Sequence, residues 1–172
     1  MIRKFLIILL IPMLLLTGCF LFKDEAQTIV MDELGLDISD ASIKFFLNTR
    51  KDSTGGITVI EAAFPDDSFV SQLESKEGFE SLPFSKALTD ILYNIDMLKD
   101  EKGQLRIPYA DNGYYRVSLD MEEKGDASWT EEQAAQLLIA VYDGDTKKFH
   151  YCHLSVDNIN LLSKLQGLLK PQ

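Results

Sequence analysis

From Phe5 to Phe22 the chain runs 18 residues without a formal charge. A stretch of that length is too apolar for a surface element and just long enough to span a bilayer. It therefore decides where the folded part of the chain can begin. Two outcomes compete: a spanning helix that stays attached, or a leader that is cut away. Arg3 and Lys4 precede the run, Phe5–Leu16 is uniformly apolar, and Thr17-Gly18 supplies small residues for a cut. Charged start, apolar middle and small-residue end are the three parts of a secretory leader. Pro12 would weaken a spanning helix, although membrane helices tolerate proline. In both outcomes the positive residues stay inside, so the remaining chain lies on the extracytoplasmic side.

Leu16-Thr17-Gly18-Cys19 resembles a bacterial lipobox. The resemblance implies that the Cys19 thiol receives a diacylglyceryl group and that a peptidase cuts before it. Residues 1–18 are then a lipoprotein signal peptide, 19–23 a short lipid-anchored tether and 24–172 a single domain. Two acyl chains anchor a protein stably where one holds it marginally. The membrane is thus an expected partner, through the N-terminal lipid. The expected place is the outer face of the cell membrane.

Removing residues 1–18 takes away Arg3 and Lys4 and no acid, so the formal charge goes from −10 to −12. No basic stripe is present, which excludes nucleic acid as a partner class. The acidity favours solubility and could steer a cationic protein partner. With Cys19 acylated, Cys152 is left alone and no internal disulfide is possible, so an ordinary core must hold the domain.

Hydrophobic periodicity supplies the elements. "DEAQTIVMDELGL" reads as a helix with Asp24 as N-cap and Gly35 as its stop. Ile43, Phe45 and Leu47 alternate on one face of a strand, "KDSTGG" turns, and "ITVIEAAF" returns, giving a hairpin over 42–64. "PDDSFVSQLES" reads as a short helix capped by Asp66 or Asp67 and closed by Gly78. In "LPFSKALTDILYNI" Phe84, Ala87, Leu88, Ile91, Leu92 and Ile95 share one helical face. "KDEKGQ" is a polar loop. "YYRVSLDM" alternates, "WTEEQAAQLLIAVYD" combines a capping box at Ser128 and Glu131 with a strand over Leu138–Tyr142, Asp143-Gly144 turns, and "KFHYCHLSV" returns. Asp157 can cap a last helix. The predicted fold is α+β: one antiparallel sheet of about five strands with helices packed on one face.

Along Glu33-Leu34-Gly35-Leu36-Asp37, Ser81-Leu82-Pro83, Ile107-Pro108, Asn112-Gly113-Tyr114-Tyr115 and Ile139-Ala140-Val141-Tyr142-Asp143 the chain resembles a set of small Gram-positive lipoproteins. The resemblance implies one domain with a terminal β-meander. It carries no activity.

Motifs for chemistry are sparse. His150 and His153 are the two histidines, and on a strand their spacing puts them on opposite faces. His150 shares a face with Cys152, but two ligands are too few for zinc. Asp143–Lys148, "DGDTKK", lacks the later oxygens of a calcium loop. Cys152 and His153 are adjacent, so their side chains diverge and cannot act as nucleophile and base. The acid pairs Asp66-Asp67, Glu122-Glu123 and Glu131-Glu132 sit where acids cap turns and helices. No cofactor is implied. Tyr114, Phe149, Tyr151 and His153 can lie on one face of the meander: a contact surface if that face is open, core if it is covered. The sequence thus points to a non-enzymatic, lipid-anchored domain that binds something at the cell surface. The alternatives are an envelope hydrolase whose acids converge only in three dimensions, or an acidic inhibitor or immunity-type lipoprotein.

Overall fold

The computed structural model of the chain describes residues 22–50, 56–121, 135–156 and 159–169. The chain divides into two compact units, Met1–Ser39 and Asp40–Gln172. Cys19 and the lipobox lie outside the described residues, as do the 51–55 turn, Ser128, Glu131 and Asp157. Among the described residues no helix is long and apolar enough to cross a membrane.

In the first unit, helix α1 covers residues 22–34. Ala26, Val30 and Leu34, four apart, are its buried stripe. Asp24 is not the N-cap: it lies inside the helix, where its carbonyl accepts the Thr28 hydroxyl at 2.9 Å. Gly35 ends the helix as expected, at φ 64°, with its N–H on the Met31 carbonyl at 2.8 Å.

The second unit is α+β, built on one antiparallel sheet. Its strands are β1 (Ser42–Asn48), β2 (Ile57–Ala63), β3 (Glu80–Ser81), β4 (Gly113–Met121), β5 (Ala135–Asp143) and β6 (Lys148–Val156), in spatial order β1-β2-β6-β5-β4-β3. The strand beyond the expected five is the two-residue β3, too short to leave a periodic signal. β4, β5 and β6 pair in succession as the expected meander, with a short turn over 144–147 between β5 and β6, and the β1–β2 hairpin adds to the β6 edge.

Helices α3 (Lys86–Leu92) and α4 (Ile159–Leu168) cover one face of the sheet. Leu88, Leu92, Leu162 and Leu165 meet Val117, Ile139, Cys152 and Leu154 there in one buried cluster. The Ser85 hydroxyl caps α3 by accepting the Leu88 N–H at 3.2 Å. Ala87, placed on the apolar stripe by spacing, is exposed. Helix α2 (Val70–Ser75) has no side-chain cap: Phe69 holds the N-cap position, and Asp66 instead accepts the Ser68 N–H at 2.9 Å in a turn before it. Phe69 packs on the opposite face of the sheet, between Tyr142 and Phe149. The central strands are thus buried on both sides. That is why β5 reads as a nearly unbroken apolar run and not as an alternation.

Candidate functional site

Strand β1 departs from its expected alternation. Its register against β2 shifts between Ile43 and Phe45, leaving Lys44 as the extra residue. Ile43 pairs with Ala62, while Phe45 and Leu47 pair with Glu61 and Val59. The bulge therefore turns Phe45 and Leu47 to the face of Glu61, Val59 and Cys152, and Ile43 to the other. This corrects the single face expected for Ile43, Phe45 and Leu47.

Above that face stands the segment 98–108. Its ends are pinned, because Leu98 and Ile107 are buried in the core cluster. Between them it folds back on itself. The Arg106 N–H reaches the Leu98 carbonyl at 2.7 Å, and the Asp100 N–H reaches the Gln104 carbonyl at 2.7 Å. The Asp100 carboxylate accepts the N–H groups of Lys102 and Gln104 at 2.9 and 2.8 Å. The Tyr93 hydroxyl ties the exit by donating to the Pro108 carbonyl at 2.7 Å, and the Tyr93 ring stacks on Tyr109. What reads as a polar loop in "KDEKGQ" is a small fixed hairpin.

Hairpin and sheet enclose a groove of about 720 Å³, within the range of small-molecule sites. Phe45, Leu47 and Val59 form its apolar floor, with Glu61 and His150 beside them. Lys44, Lys102, Arg106, Asp100 and Glu101 bring charge to its walls. The Arg106 guanidinium lies over the Phe45 ring, 5.9 Å from its centroid. Its Nε is buried without a hydrogen-bond partner, and no carboxylate among the described residues pairs with it. Glu61, which pairs across the strands with Phe45, is bridged to Lys148 at 2.7 Å. Arg106 lies just past the polar loop "KDEKGQ" and belongs to no element read from the sequence. The available signal was its place in "QLRIPY", a charge set between two apolar residues and a proline.

His150 stands on this groove face and His153 on the other, as the spacing predicts. Burial pushes the His150 ring below its ordinary value; Glu61, Asp143 and the Arg106 backbone oppose that, while Lys148 adds to it. A histidine held neutral in the folded chain contributes stability that is present above the unfolded value of about 6.5 and is lost as pH falls through the folded one. The urea midpoint of the protein is expected to fall from pH 6.5 to 5, and His150→Gln to flatten that fall. Identical profiles would contradict the assignment.

Cys152, on the same face, is no nucleophile. Burial raises its thiol to about 12 against a smaller opposing pull from the Arg106 charge. The Asp143 turn is no calcium loop. The Asp143 carboxylate is occupied by the N–H groups of Asp145 and Thr146 at 3.0 and 3.3 Å and the Thr146 hydroxyl at 2.7 Å. Among the described residues no group of three or more His, Cys, Asp or Glu is placed to hold a metal ion.

Of the four residues of the aromatic face, Phe149, Tyr151 and His153 are buried and Tyr114 is half-buried. Phe149 lies edge-on to Phe69, so at that point the face is core. His153 Nδ1 accepts from Arg50 at 2.7 Å, which places the ring proton on Nε2, and the Tyr151 hydroxyl lies 3.2 Å from the same nitrogen. The Tyr114 hydroxyl donates to Glu74 at 2.7 Å. In a second depression of about 670 Å³ near α3 and β4 the Tyr115 hydroxyl donates to Glu80 at 2.8 Å and an Arg116 terminal nitrogen to the Glu77 carbonyl at 3.3 Å. The groove at Arg106 differs in that its guanidinium has no hydrogen-bonded partner among the described residues. No protein-family model, curated protein or solved structure matches the chain.

Proposed function

We propose that this chain is a lipid-anchored, extracytoplasmic binding domain, non-enzymatic, with Cys19 as the anchored residue and the groove beneath the 98–108 hairpin as its ligand site. The observation that carries the binding half is the unpaired Arg106 guanidinium held over Phe45 in a groove of ligand size. A rigid floor of strands and a pinned hairpin suit recognition, because little has to be ordered when a ligand arrives. The acids of the groove support binding over hydrolysis. Glu61 is held by Lys148 and the Asp100 carboxylate by its own turn, so neither is aimed with a second carboxyl at a common point. The lipobox carries the anchoring half.

The test is fractionation of intact cells. The wild-type chain is expected in the membrane pellet and to be removed by protease added outside. Cys19→Ala is expected to be lost from the lipid-labelled fraction. A Cys19→Ala chain that is still lipid-labelled, or a wild-type chain shielded from external protease, would contradict the assignment.

A further inference from the structure

The groove has a chemistry that narrows its ligand. Arginine keeps its charge at any working pH and presents a planar fork of donors that matches a carboxylate. A buried donor without an acceptor is costly, so such an atom calls for one. Arg106 Nε is of that kind, and the guanidinium lies over the Phe45 ring, 5.9 Å from its centroid. The surroundings set the ligand's charge. Lys44, Lys102 and Arg106 are matched in number by Glu61, Asp100 and Glu101 around the same cavity. A dianion gains from the cations and is repelled by the three acids; a single carboxylate meets the fork with half that repulsion. The net charge of −10 over the whole chain presses the same way. The floor sets the ligand's body. Phe45 is 43% exposed, an unusual state for a phenylalanine, and Leu47 and Val59 continue the apolar surface beside it. A cavity of about 720 Å³ takes a molecule the size of a short peptide.

We propose that the groove binds a short peptide by its free C-terminal carboxylate, with the carboxylate in the fork of Arg106 and an apolar last side chain on Phe45 and Leu47. This names the ligand class of the site proposed above and rests on that reading.

The experiment uses the full chain in detergent micelles, labelled with ¹⁵N-arginine. The chain has four arginines, at 3, 50, 106 and 116, so the Nε–H signals are few. The probes are an equal mixture of N-acetyl-Ala-Ala-Leu, N-acetyl-Ala-Ala-Val and N-acetyl-Ala-Ala-Phe as free acids, the same mixture amidated at its C-terminus, and inorganic phosphate. The free acids are expected to shift the Arg106 signal saturably and to bind at least about tenfold more tightly than the amides, since the difference is a charged hydrogen-bonded pair. Arg106→Lys keeps the charge and loses the fork, and is expected to weaken free-acid binding, read by calorimetry in this variant, about tenfold. Phe45→Ala, on an exposed side chain, should weaken it several-fold. Absence of saturation below about 1 mM, equal binding of acid and amide, or phosphate saturating the same signal would overturn the proposal. If Arg106→Lys disturbs the Arg50 and Arg116 signals, the Phe45→Ala titration decides, and an unchanged affinity there overturns it. These failures would leave the anchor at Cys19 standing. An unlipidated Cys19 would remove the anchoring half and leave the titration intact.

Discussion

Gly113→Ala is expected to cost about 3–5 kcal/mol of folding stability, a large share of the roughly 5–15 kcal/mol that holds an ordinary domain. Gly113 opens β4 at φ 128°, a conformation that L side chains rarely adopt. A Cβ there would sit 2.0 Å from the Tyr142 carbonyl oxygen and 2.9 Å from the Gly144 nitrogen. Both obstacles are backbone, in β5 and the turn that follows it, so no side chain can swing aside. The same residue pairs with Asp143 and accepts the Leu82 N–H at 3.0 Å, so a shift there disturbs the neighbouring pairings of the sheet. Gly103→Ala is the control. It also has a positive φ, 75°, but its Cβ would meet nothing within 4 Å. About 1–2 kcal/mol is expected there, from backbone strain alone. Urea denaturation of both variants measures the difference. Equal losses would mean that the close approach to Tyr142 has been misjudged.

Phe69→Ala is expected to cost about 3–5 kcal/mol, the range for removing a buried aromatic ring. Phe69 is 1% exposed and touches three other rings. It stacks on Phe64 at 4.1 Å and 16°, meets Phe149 edge-on at 5.4 Å and 72°, and tilts against Tyr142 at 5.6 Å and 59°. Each such pair adds a little beyond the area it buries. Deleting the ring leaves a cavity whose walls are strand side chains, which relax poorly. It also removes what fastens α2, since that helix starts without a side-chain cap. Phe45→Ala, at 43% exposure, is expected to cost about 1 kcal/mol or less. If thermal unfolding of the two variants falls at the same temperature, the aromatic cluster around Phe69 is not the support it is taken to be.

The parts of the fold legible in the sequence are those fixed by neighbours along the chain. The alternation of Tyr115 and Val117 marks β4, and the turn at Asp143-Gly144 pairs β5 with β6, because a tight turn brings consecutive strands together antiparallel. The spacing of Leu88 and Leu92 marks α3, because both fall on the face that the helix buries. Legibility stops where a distant residue decides. The Lys44 bulge is set by how β1 meets β2, and a period of two cannot show it. The β2–β6 pairing joins residues about ninety positions apart, with no local trace. Phe149 reads equally as surface or core, since the ring that covers it is Phe69. Asp24, Asp66 and Asp67 have the right chemistry for caps, yet α1 extends past the first and α2 starts beyond the other two, anchored by an aromatic ring. The groove was hidden for the same reason. Arg106 acquires meaning only once Phe45 is turned beneath it.

The proposed anchored start of the chain is what would place the groove at the cell surface, and it has one direct measurement: the intact mass of the protein extracted with detergent from growing cells. The expected mass is that of a chain beginning at Cys19 and carrying a diacylglyceryl group on its thiol, with peptides from residues 1–18 missing. A chain that begins at Met1 with an unmodified Cys19 would contradict it, and would make the apolar run from Phe5 an uncut anchor instead.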